Sequence, residues 1–133
     1  MSHLRPYLLS KDARAQADFY VRALGGEIVS VLTHAQAMGT NNEYNDKVMH
    51  MCLTLTGGDS LFLADAIEPL AHGNAVMLTI AYPTESEARD AFAKLSEGGR
   101  VKTPFAFQPF GIYYGDLTDP FGVEWSVTIE PKA

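Results

Sequence analysis

Apolar and polar residues alternate along the last part of the chain. Between residues 123 and 130 the apolar set is Val123, Trp125, Val127 and Ile129, and the polar set is Glu124, Ser126, Thr128 and Glu130. A period of two is typical of a β-strand with one apolar and one polar face. Residues 111–117 form a second strand-like run, joined to the first by Thr118-Asp119-Pro120-Phe121-Gly122. Because Pro presets φ and Gly accepts positive φ, this joining segment predicts the turn of a β-hairpin.

The same alternation predicts further strands at residues 4–9, 27–32, 48–55, 60–64 and 75–81, and another that begins at 100–102 and gives way to a loop over 103–109. Two segments have helical spacing instead. Their apolar stripes are Ala13, Ala17, Tyr20, Val21 and Leu24 in the first, and Ala88, Ala91, Phe92 and Leu95 in the second. Ser10 or Asp12 can cap the first helix, Thr84 and Glu87 form a capping box for the second, and each helix stops at a Gly-Gly pair.

These elements come in an order that repeats. Each half of the chain reads strand, helix, Gly-Gly and then three strands, which is a duplicated βαβββ module. We expect an α+β fold in which the two modules, about 1–66 and about 73–130, form one curled mixed sheet with helices on its outer face. Residues 1–133 are expected to be a single domain.

Composition narrows the functional classes. A net charge of −6 and the absence of a basic cluster argue against a nucleic-acid partner. Cys52 is the one cysteine in the sequence, so no internal disulfide can form and a reducing compartment is favoured. The N-terminus lacks a signal-peptide pattern and the apolar runs are strand-sized, so we expect a cytoplasmic protein with no membrane partner.

Residues 33–47 break the pattern because they show no sustained period and are rich in Asn. Long loops inside small domains are usually functional or disordered. We expect a flap over a binding site, with a short helical turn at residues 35–38 and possible ligand contacts from Met38 and Tyr44.

Strand parity suggests where a site lies. The faces opposite the aliphatic ones carry Arg5 and Tyr7, His50, Cys52 and Thr54, Ser60 and Phe62, Met77 and Thr79, and Glu124 and Ser126, while Tyr114 and Asp116 share a face of their strand. These positions line either a pocket or a solvated sheet surface. The mixture of Phe, Met and Cys with polar groups favours the pocket, since a solvated face would carry more Lys and Glu. A β-bulge near Gly122 would reverse the parity and turn Trp125 into the pocket instead.

Three of these residues carry candidate chemistry. His50 is a candidate for acid–base catalysis, because imidazole titrates near neutral pH, or it is a histidine hydrogen-bonded within the sheet. Cys52 is a nucleophile only if a cation such as Arg5 favours its thiolate, and otherwise it fills space in the strand. A buried Arg5 would need a carboxylate partner, for which Glu124 is the candidate by face.

The duplicated order, with Asp18-Phe19-Tyr20 ahead of Leu24-Gly25-Gly26, resembles the vicinal oxygen chelate superfamily, which includes glyoxalase I, extradiol dioxygenases, fosfomycin-modifying enzymes and bleomycin-binding proteins. Pro6-Tyr7-Leu8, Met49-His50-Met51 and residues 117–123 with Trp125 are similar to the PhnB-like branch. The resemblance covers nearly the whole chain.

The resemblance implies a site and a partner. Metal-dependent members would place their ligands at Arg5, His50 or Cys52, Ala75 and Ser126, a set that departs from the pattern of three protein ligands, so we expect no metal and no other cofactor. Phe110 lies where PhnB-like relatives often carry Trp. The expected ligand-binding residues are Arg5, Tyr7, His50, Cys52, Phe62, Phe110, Tyr114 and Glu124. Superfamily members also commonly build their pockets in dimers, which implies a homodimer.

Three functions stay open. The first is a metal-independent protein of the glyoxalase/bleomycin-resistance type that binds a small molecule. The second is an enzyme of the superfamily, of lyase, dioxygenase or transferase type, with a degenerate metal site. The third is a structural or regulatory dimer with a vestigial pocket. Some PhnB-like proteins are labelled demethylubiquinone methyltransferases, but the sequence has no nucleotide fingerprint for S-adenosylmethionine.

Overall fold

The computed structural model describes residues 2–39 and 43–131. In chain order the elements are β1 (Tyr7–Ser10), α1 (Ala13–Leu24), β2 (Gly26–Thr33), α2 (His34–Met38), β3 (Val48–Leu55), β4 (Ser60–Asp65), β5 (Met77–Tyr82), α3 (Glu85–Ser96), β6 (Arg100–Phe107), β7 (Tyr113–Thr118) and β8 (Glu124–Ile129). None of the helices in these described ranges is long and apolar enough to cross a membrane.

The chain divides into two compact units, Met1–Ala71 and His72–Ala133. The first unit holds a four-stranded sheet in the order β1-β4-β3-β2, and the second holds one in the order β5-β8-β7-β6. In each sheet the first strand pairs in parallel and the other pairs are antiparallel. The predicted α+β class and duplicated βαβββ module are confirmed, and the described residues form eight strands in two mixed sheets of four. That residues 1–133 form a single domain stays a prediction.

Helix α1 begins and ends where local chemistry requires. The Asp12 side chain caps it by accepting a hydrogen bond from the amide of Ala15 at 3.1 Å. At the other end Gly25 has a φ of 80°, and its amide donates to the carbonyl of Val21 at 3.0 Å. A Cβ on Gly26 would clash with the carbonyl oxygen of Thr54 on the neighbouring strand. The Gly-Gly pair therefore both ends the helix and lets β2 approach β3.

The core of the first unit lies between α1 and one face of its sheet. Ala13, Ala17 and Tyr20 of the helix are fully buried, as are Leu53 and Leu63 of the strands. Burial of this apolar surface is the main favourable contribution to the stability of the unit. Of the predicted helix stripe, Leu24 is buried as well, whereas Val21 is only half-buried. The predicted aliphatic face of β3 is buried at Met51, Leu53 and Leu55 and half-buried at Met49.

The second unit repeats this arrangement. Thr84 caps α3 by accepting from the Glu87 amide at 3.2 Å, and the Thr84 hydroxyl donates to the Glu87 carboxylate at 3.1 Å. The predicted N-cap is thus present, but the predicted capping box is incomplete, because the Glu87 carboxylate accepts from the Thr84 hydroxyl rather than from the Thr84 amide. The predicted stripe is buried: Ala88, Ala91, Phe92 and Leu95.

Several predicted boundaries were wrong. Strand β1 begins at Tyr7 rather than at Leu4, and the carbonyl of Pro6 accepts one bond from the Phe62 amide at 2.9 Å. Strand β5 begins at Met77 rather than Ala75. The predicted loop over 103–109 is strand as far as Phe107. Pro104 is tolerated because β6 is an edge strand whose register is irregular between Thr103 and Ala106, so its missing N–H is not needed there.

The predicted helical turn in residues 33–47 is present as α2. Thr33 caps it in a capping box, accepting from the Gln36 amide at 3.2 Å while the Gln36 side chain accepts from the Thr33 amide at 2.9 Å. Gly39, with a φ of 60°, ends the helix. Residues 40–42 lie outside the described residues, and the expectation that 33–47 forms a flap stays a prediction.

Candidate functional site

The parity predicted for β3 is confirmed. Met51, Leu53 and Leu55 are buried on the face that packs against α1, whereas His50, Cys52 and Thr54 lie half-buried on the opposite face. The site can therefore be built on the face of each sheet that its helix leaves uncovered.

In the first unit this uncovered face carries an aromatic cluster of Tyr7, His50 and Phe62. Sheet register brings them together, since Tyr7 pairs with Phe62 and Phe62 pairs with Cys52. The ring centroids of His50 and Phe62 are 4.8 Å apart, and Tyr7 lies 5.5 Å from His50 and 6.1 Å from Phe62. A cluster of aromatic rings is suited to binding a flat or apolar part of a ligand. Four of the predicted ligand-binding residues, Tyr7, His50, Cys52 and Phe62, thus lie together.

His50 and Cys52, the two candidate reactive groups on this face, have few polar contacts. In the described part of the chain His50 makes ring contacts and no side-chain hydrogen bond, so the alternative of a histidine hydrogen-bonded within the sheet is not observed. The thiol of Cys52 lies 3.7 Å from the carbonyl of Leu53. Neither arrangement supplies a partner that would activate a base or a nucleophile.

Arg5 precedes β1 and is exposed. Its guanidinium donates to the carbonyl of Leu4 at 3.2 Å. An exposed guanidinium is solvated, so Arg5 does not need the carboxylate partner that a buried one would require. Glu124, the predicted partner of Arg5, binds Lys102 and Thr118 instead.

In the second unit the uncovered face is polar. Cross-strand register aligns Thr79, Ser126, Asp116 and Thr103 in one row across the four strands, with Glu124 beside Thr118 in the next row. We call Thr79, Tyr114, Asp116, Thr118, Glu124 and Ser126 the polar face. The predicted residues Tyr114 and Glu124 both belong to it.

Glu124 is buried and its charge is compensated. The Lys102 ammonium binds one carboxylate oxygen at 3.0 Å, and the Thr118 hydroxyl donates a short hydrogen bond to the other. The bond from Thr118, followed by that from Lys102, holds the pKa of Glu124 below its usual value despite the opposing effect of burial. Glu124 is therefore an ionised carboxylate paired with Lys102, a partner that the sequence analysis missed because it depends on pairing across strands.

Asp116 is the unusual group of this face. Its Oδ2 accepts from the Tyr114 hydroxyl at 2.9 Å, whereas Oδ1 is buried without a hydrogen-bond partner in the described structure. Burial, and then the bond to Asp116, raise the pKa of the Tyr114 hydroxyl, which therefore stays protonated as a donor at neutral pH. Sequence analysis noted that Asp116 shares a face with Tyr114 but did not select it. The period-two pattern was the signal that could have found it.

Tyr114 also contacts two apolar side chains, Met77 and Phe110. Its hydroxyl lies 3.8 Å from the sulfur of Met77, and its ring is 6.2 Å from that of Phe110 in an edge-on contact. Phe110 is 65% exposed. The predicted residues Phe110 and Tyr114 are thus brought together.

Trp125 lies on the opposite face. It is 2% exposed, and its indole N–H donates to Oδ2 of Asp119 at 2.9 Å. The parity around Gly122 is therefore not reversed, and Trp125 belongs to the core beneath α3.

A separate groove of about 530 Å³ lies beside the start of α3, lined by Pro83, Thr84, Glu85, Phe107, Gly111, Ile112, Tyr113, Ile129, Glu130 and Pro131. Successive residues of a strand face opposite sides, so Tyr113 points away from the side to which Tyr114 points. The groove is therefore distinct from the polar face, and sequence analysis did not predict it.

The residues at the metal-ligand positions implied by the superfamily do not fit a catalytic metal. Arg5 and Ala75 have no side-chain atom that can coordinate a metal ion. The Ser126 hydroxyl is hydrogen-bonded to the Thr79 hydroxyl at 2.7 Å. Within residues 2–39 and 43–131 no group of three or more His, Cys, Asp or Glu side chains could hold an ion. A catalytic zinc site requires three protein ligands, and this donor set does not supply them.

Comparison with known proteins relates this geometry to a family. The family model described as 3-demethylubiquinone-9 3-methyltransferase matches residues 3–128. The uncharacterized protein Rv0887c of Mycobacterium tuberculosis (strain ATCC 25618 / H37Rv) is 32% identical over 133 residues, covering 93% of this chain and 72% of that protein.

Solved structures agree. Protein PA1353 from Pseudomonas aeruginosa has a TM-score of 0.85 at 27% identity, covering 99% of this chain and all of that one. The PhnB protein from Bacillus cereus has a TM-score of 0.78 at 25% identity, covering 97% and 100%. A glyoxylase/bleomycin resistance protein/dioxygenase domain from Frankia sp. EAN1pec shares the fold, with a TM-score of 0.70 at 13% identity over 100% and 95% of the two chains. The chain therefore belongs to the 3-demethylubiquinone-9 3-methyltransferase family, the PhnB-like branch of the vicinal oxygen chelate superfamily.

Proposed function

We propose that this protein binds a small organic molecule without a metal ion, as a binding protein of the glyoxalase/bleomycin-resistance type. The observation that carries the proposal is Oδ1 of Asp116 on the polar face, which is buried and has no hydrogen-bond partner among the described residues. Buried polar atoms in folded proteins nearly always have a hydrogen-bond partner. Such an acceptor calls for a donor from outside the described residues, and a bound small molecule with an N–H or O–H group would supply one.

The first unit supports the same function independently. Tyr7 and Leu9 are about half exposed on the uncovered face of its sheet, next to the contacts between His50 and Phe62. Aromatic side chains left on such a face are typical of binding surfaces rather than of solvated sheets.

The proposal includes independence from metal, because the donor set at the implied ligand positions does not fit one. It excludes the methyl transfer named in the family's description, since no residue pattern for binding S-adenosylmethionine occurs in the sequence.

We also propose that the protein is a homodimer, in line with the superfamily resemblance. Light scattering at micromolar concentration should give twice the 14.5 kDa mass of the chain, and a monomeric mass would contradict this part.

The test combines elemental analysis with ligand screening. Protein purified without chelators is analysed for zinc, nickel and iron, and then screened by thermal shift against metabolites, antibiotics and S-adenosylmethionine, with and without EDTA. A ligand at 100 times its Kd stabilises the folded state by about 2.7 kcal/mol, which such a screen detects.

We expect no stoichiometric metal and at least one compound whose thermal shift is unchanged by EDTA. Stoichiometric metal that is lost in His50→Ala but kept in the control His34→Ala would overturn the metal-free proposal. A screen in which S-adenosylmethionine alone binds, followed by methyl transfer, would favour an enzyme instead.

A further inference from the structure

The cations near the polar face act on Glu124 rather than on Asp116. Lys102 binds Glu124 at 3.0 Å, and the charge of Arg100 also acts on that carboxylate. In its row Asp116 lies between Ser126 and Thr103, both of which carry neutral hydroxyls. Its one hydrogen bond in the described structure comes from another neutral group, the phenol of Tyr114. A carboxylate in this setting lacks a charge partner.

Asp116 is half-buried and its Oδ1 is buried, and a charge removed from water is costly unless it is paired and hydrogen-bonded. We infer that Asp116 is the recognition group for a ligand that carries a protonated nitrogen, an ammonium or an amidinium. This inference rests on the proposed function and adds the chemical class of the ligand. A nitrogen cation supplies both the missing charge and the missing N–H donor.

The surroundings of Asp116 fit the rest of such a ligand. Tyr114 donates to the carboxylate, and its ring makes an edge contact with Phe110. Aromatic faces attract cations, and the exposed ring of Phe110 can cover an apolar or aromatic body. The thioether of Met77, 3.8 Å from the Tyr114 hydroxyl, adds an adaptable surface.

Other occupants fit less well. An anion would approach the carboxylate of Asp116 at unfavourable electrostatic energy. A metal ion would find one free carboxylate oxygen, whereas calcium takes six to eight oxygen ligands. A buried water could also donate to Oδ1, and the experiment below separates that occupant from a cationic ligand.

The test uses three flat probes of nearly equal shape: benzamidine, which is cationic, benzamide, which is neutral, and benzoate, which is anionic. Binding is followed by amide chemical shifts of the full chain, with attention to residues 114–118 and 124–128, and by calorimetry. The variant Asp116→Asn keeps the shape and an acceptor for Tyr114 but removes the charge. Asp90→Asn, which removes an exposed carboxylate paired with Lys94 on α3, is the matched control.

We expect benzamidine to bind at least about tenfold more tightly than benzamide, because benzamide keeps an N–H donor but loses the positive charge. Benzoate should bind most weakly, because it has no N–H donor and its charge repels the carboxylate. Asp116→Asn should remove this preference, whereas Asp90→Asn should leave it unchanged. If Asp116→Asn folds poorly, the wild-type chemical shifts decide, because benzamidine must then perturb residues 114–118 and 124–128 and benzoate must not.

Equal binding of benzamidine and benzamide, or a benzamidine affinity unchanged in a folded Asp116→Asn, would overturn the inference and leave a buried water as the partner of Oδ1. The proposed function and the ligand class are contradicted by different results. If neutral or anionic compounds from the screen bind while every cation fails, the proposed function stands and the ligand class is wrong. If no compound binds at all, both are wrong.

Discussion

The turn between β7 and β8 depends on one buried carboxylate, and replacing Asp119 by Ala should destabilise the fold strongly. Asp119 is 2% exposed. One of its oxygens accepts from the amides of Phe121 at 2.8 Å and Val123 at 3.1 Å, and the other accepts from the indole of Trp125 at 2.9 Å. Alanine would remove the acceptor of all three hydrogen bonds, one of which comes from the buried indole of Trp125.

The magnitude follows from these contacts. Hydrogen bonds to a charged group contribute about 1.5–3 kcal/mol each, and losses within one network are not additive. We expect Asp119→Ala to lower the free energy of unfolding by about 3–5 kcal/mol, a large share of the roughly 5–15 kcal/mol of a typical domain. Asp119→Asn keeps an acceptor for the two amides but turns an NH2 toward the indole, so it should cost about 1–2 kcal/mol.

The assay is urea unfolding followed by fluorescence. The chain has one tryptophan, Trp125, so the signal reports on the environment that Asp119 holds. Linear extrapolation gives the free energy of unfolding for the wild type and both variants. A loss below about 1 kcal/mol for Asp119→Ala, or equal losses for the two variants, would refute the account of the turn, because either result would mean that the three donors find other partners.

Two further predictions concern the second unit. Gly115→Ala would place a Cβ 2.7 Å from a backbone atom of β6, so we expect a loss of about 1–3 kcal/mol in thermal unfolding, whereas Gly57→Ala, with open space around it, should change little. Because the folded-state pKa of Glu124 is lowered, its carboxylate contributes stability above the unfolded value of about 4.3 and loses it as the pH falls through the folded value. Lys102→Met should therefore cost about 1–2 kcal/mol at pH 7 and flatten the fall in stability below pH 4.5, while Lys94→Met on the surface should cost under about 0.5 kcal/mol. Equal losses for Gly115→Ala and Gly57→Ala, or an unchanged acid limb in Lys102→Met, would contradict these assignments.

Much of the fold could be predicted because its signals are local. The stripe of Ala88, Ala91, Phe92 and Leu95 is set by helical spacing alone, and all four residues are buried. The alternation in β3 likewise assigned His50 and Cys52 to the uncovered face. These patterns need no knowledge of which strands pair, since the period of an element decides which residues share a face.

Element ends were harder to predict. The sequence analysis took Pro104 as part of a loop, but β6 continues to Phe107 because an edge strand can omit a hydrogen bond at a register irregularity. For β1 the predicted strand was too long instead of too short. Apolar alternation begins at Leu4, but it does not show that pairing with β4 starts only at Tyr7. Whether a backbone donor is needed depends on the neighbouring strand, which the local pattern does not contain.

The sequence by itself determined the duplicated order of elements, the faces of the strands and the family resemblance, because these follow from short-range periodicity and from motifs read in order. Only the tertiary structure decided which groups meet across strands. It paired Glu124 with Lys102, from another strand, and buried one oxygen of Asp116 where no described residue donates a hydrogen bond to it. Such pairings depend on register, since a shift by one residue would turn each side chain to the other face of the sheet.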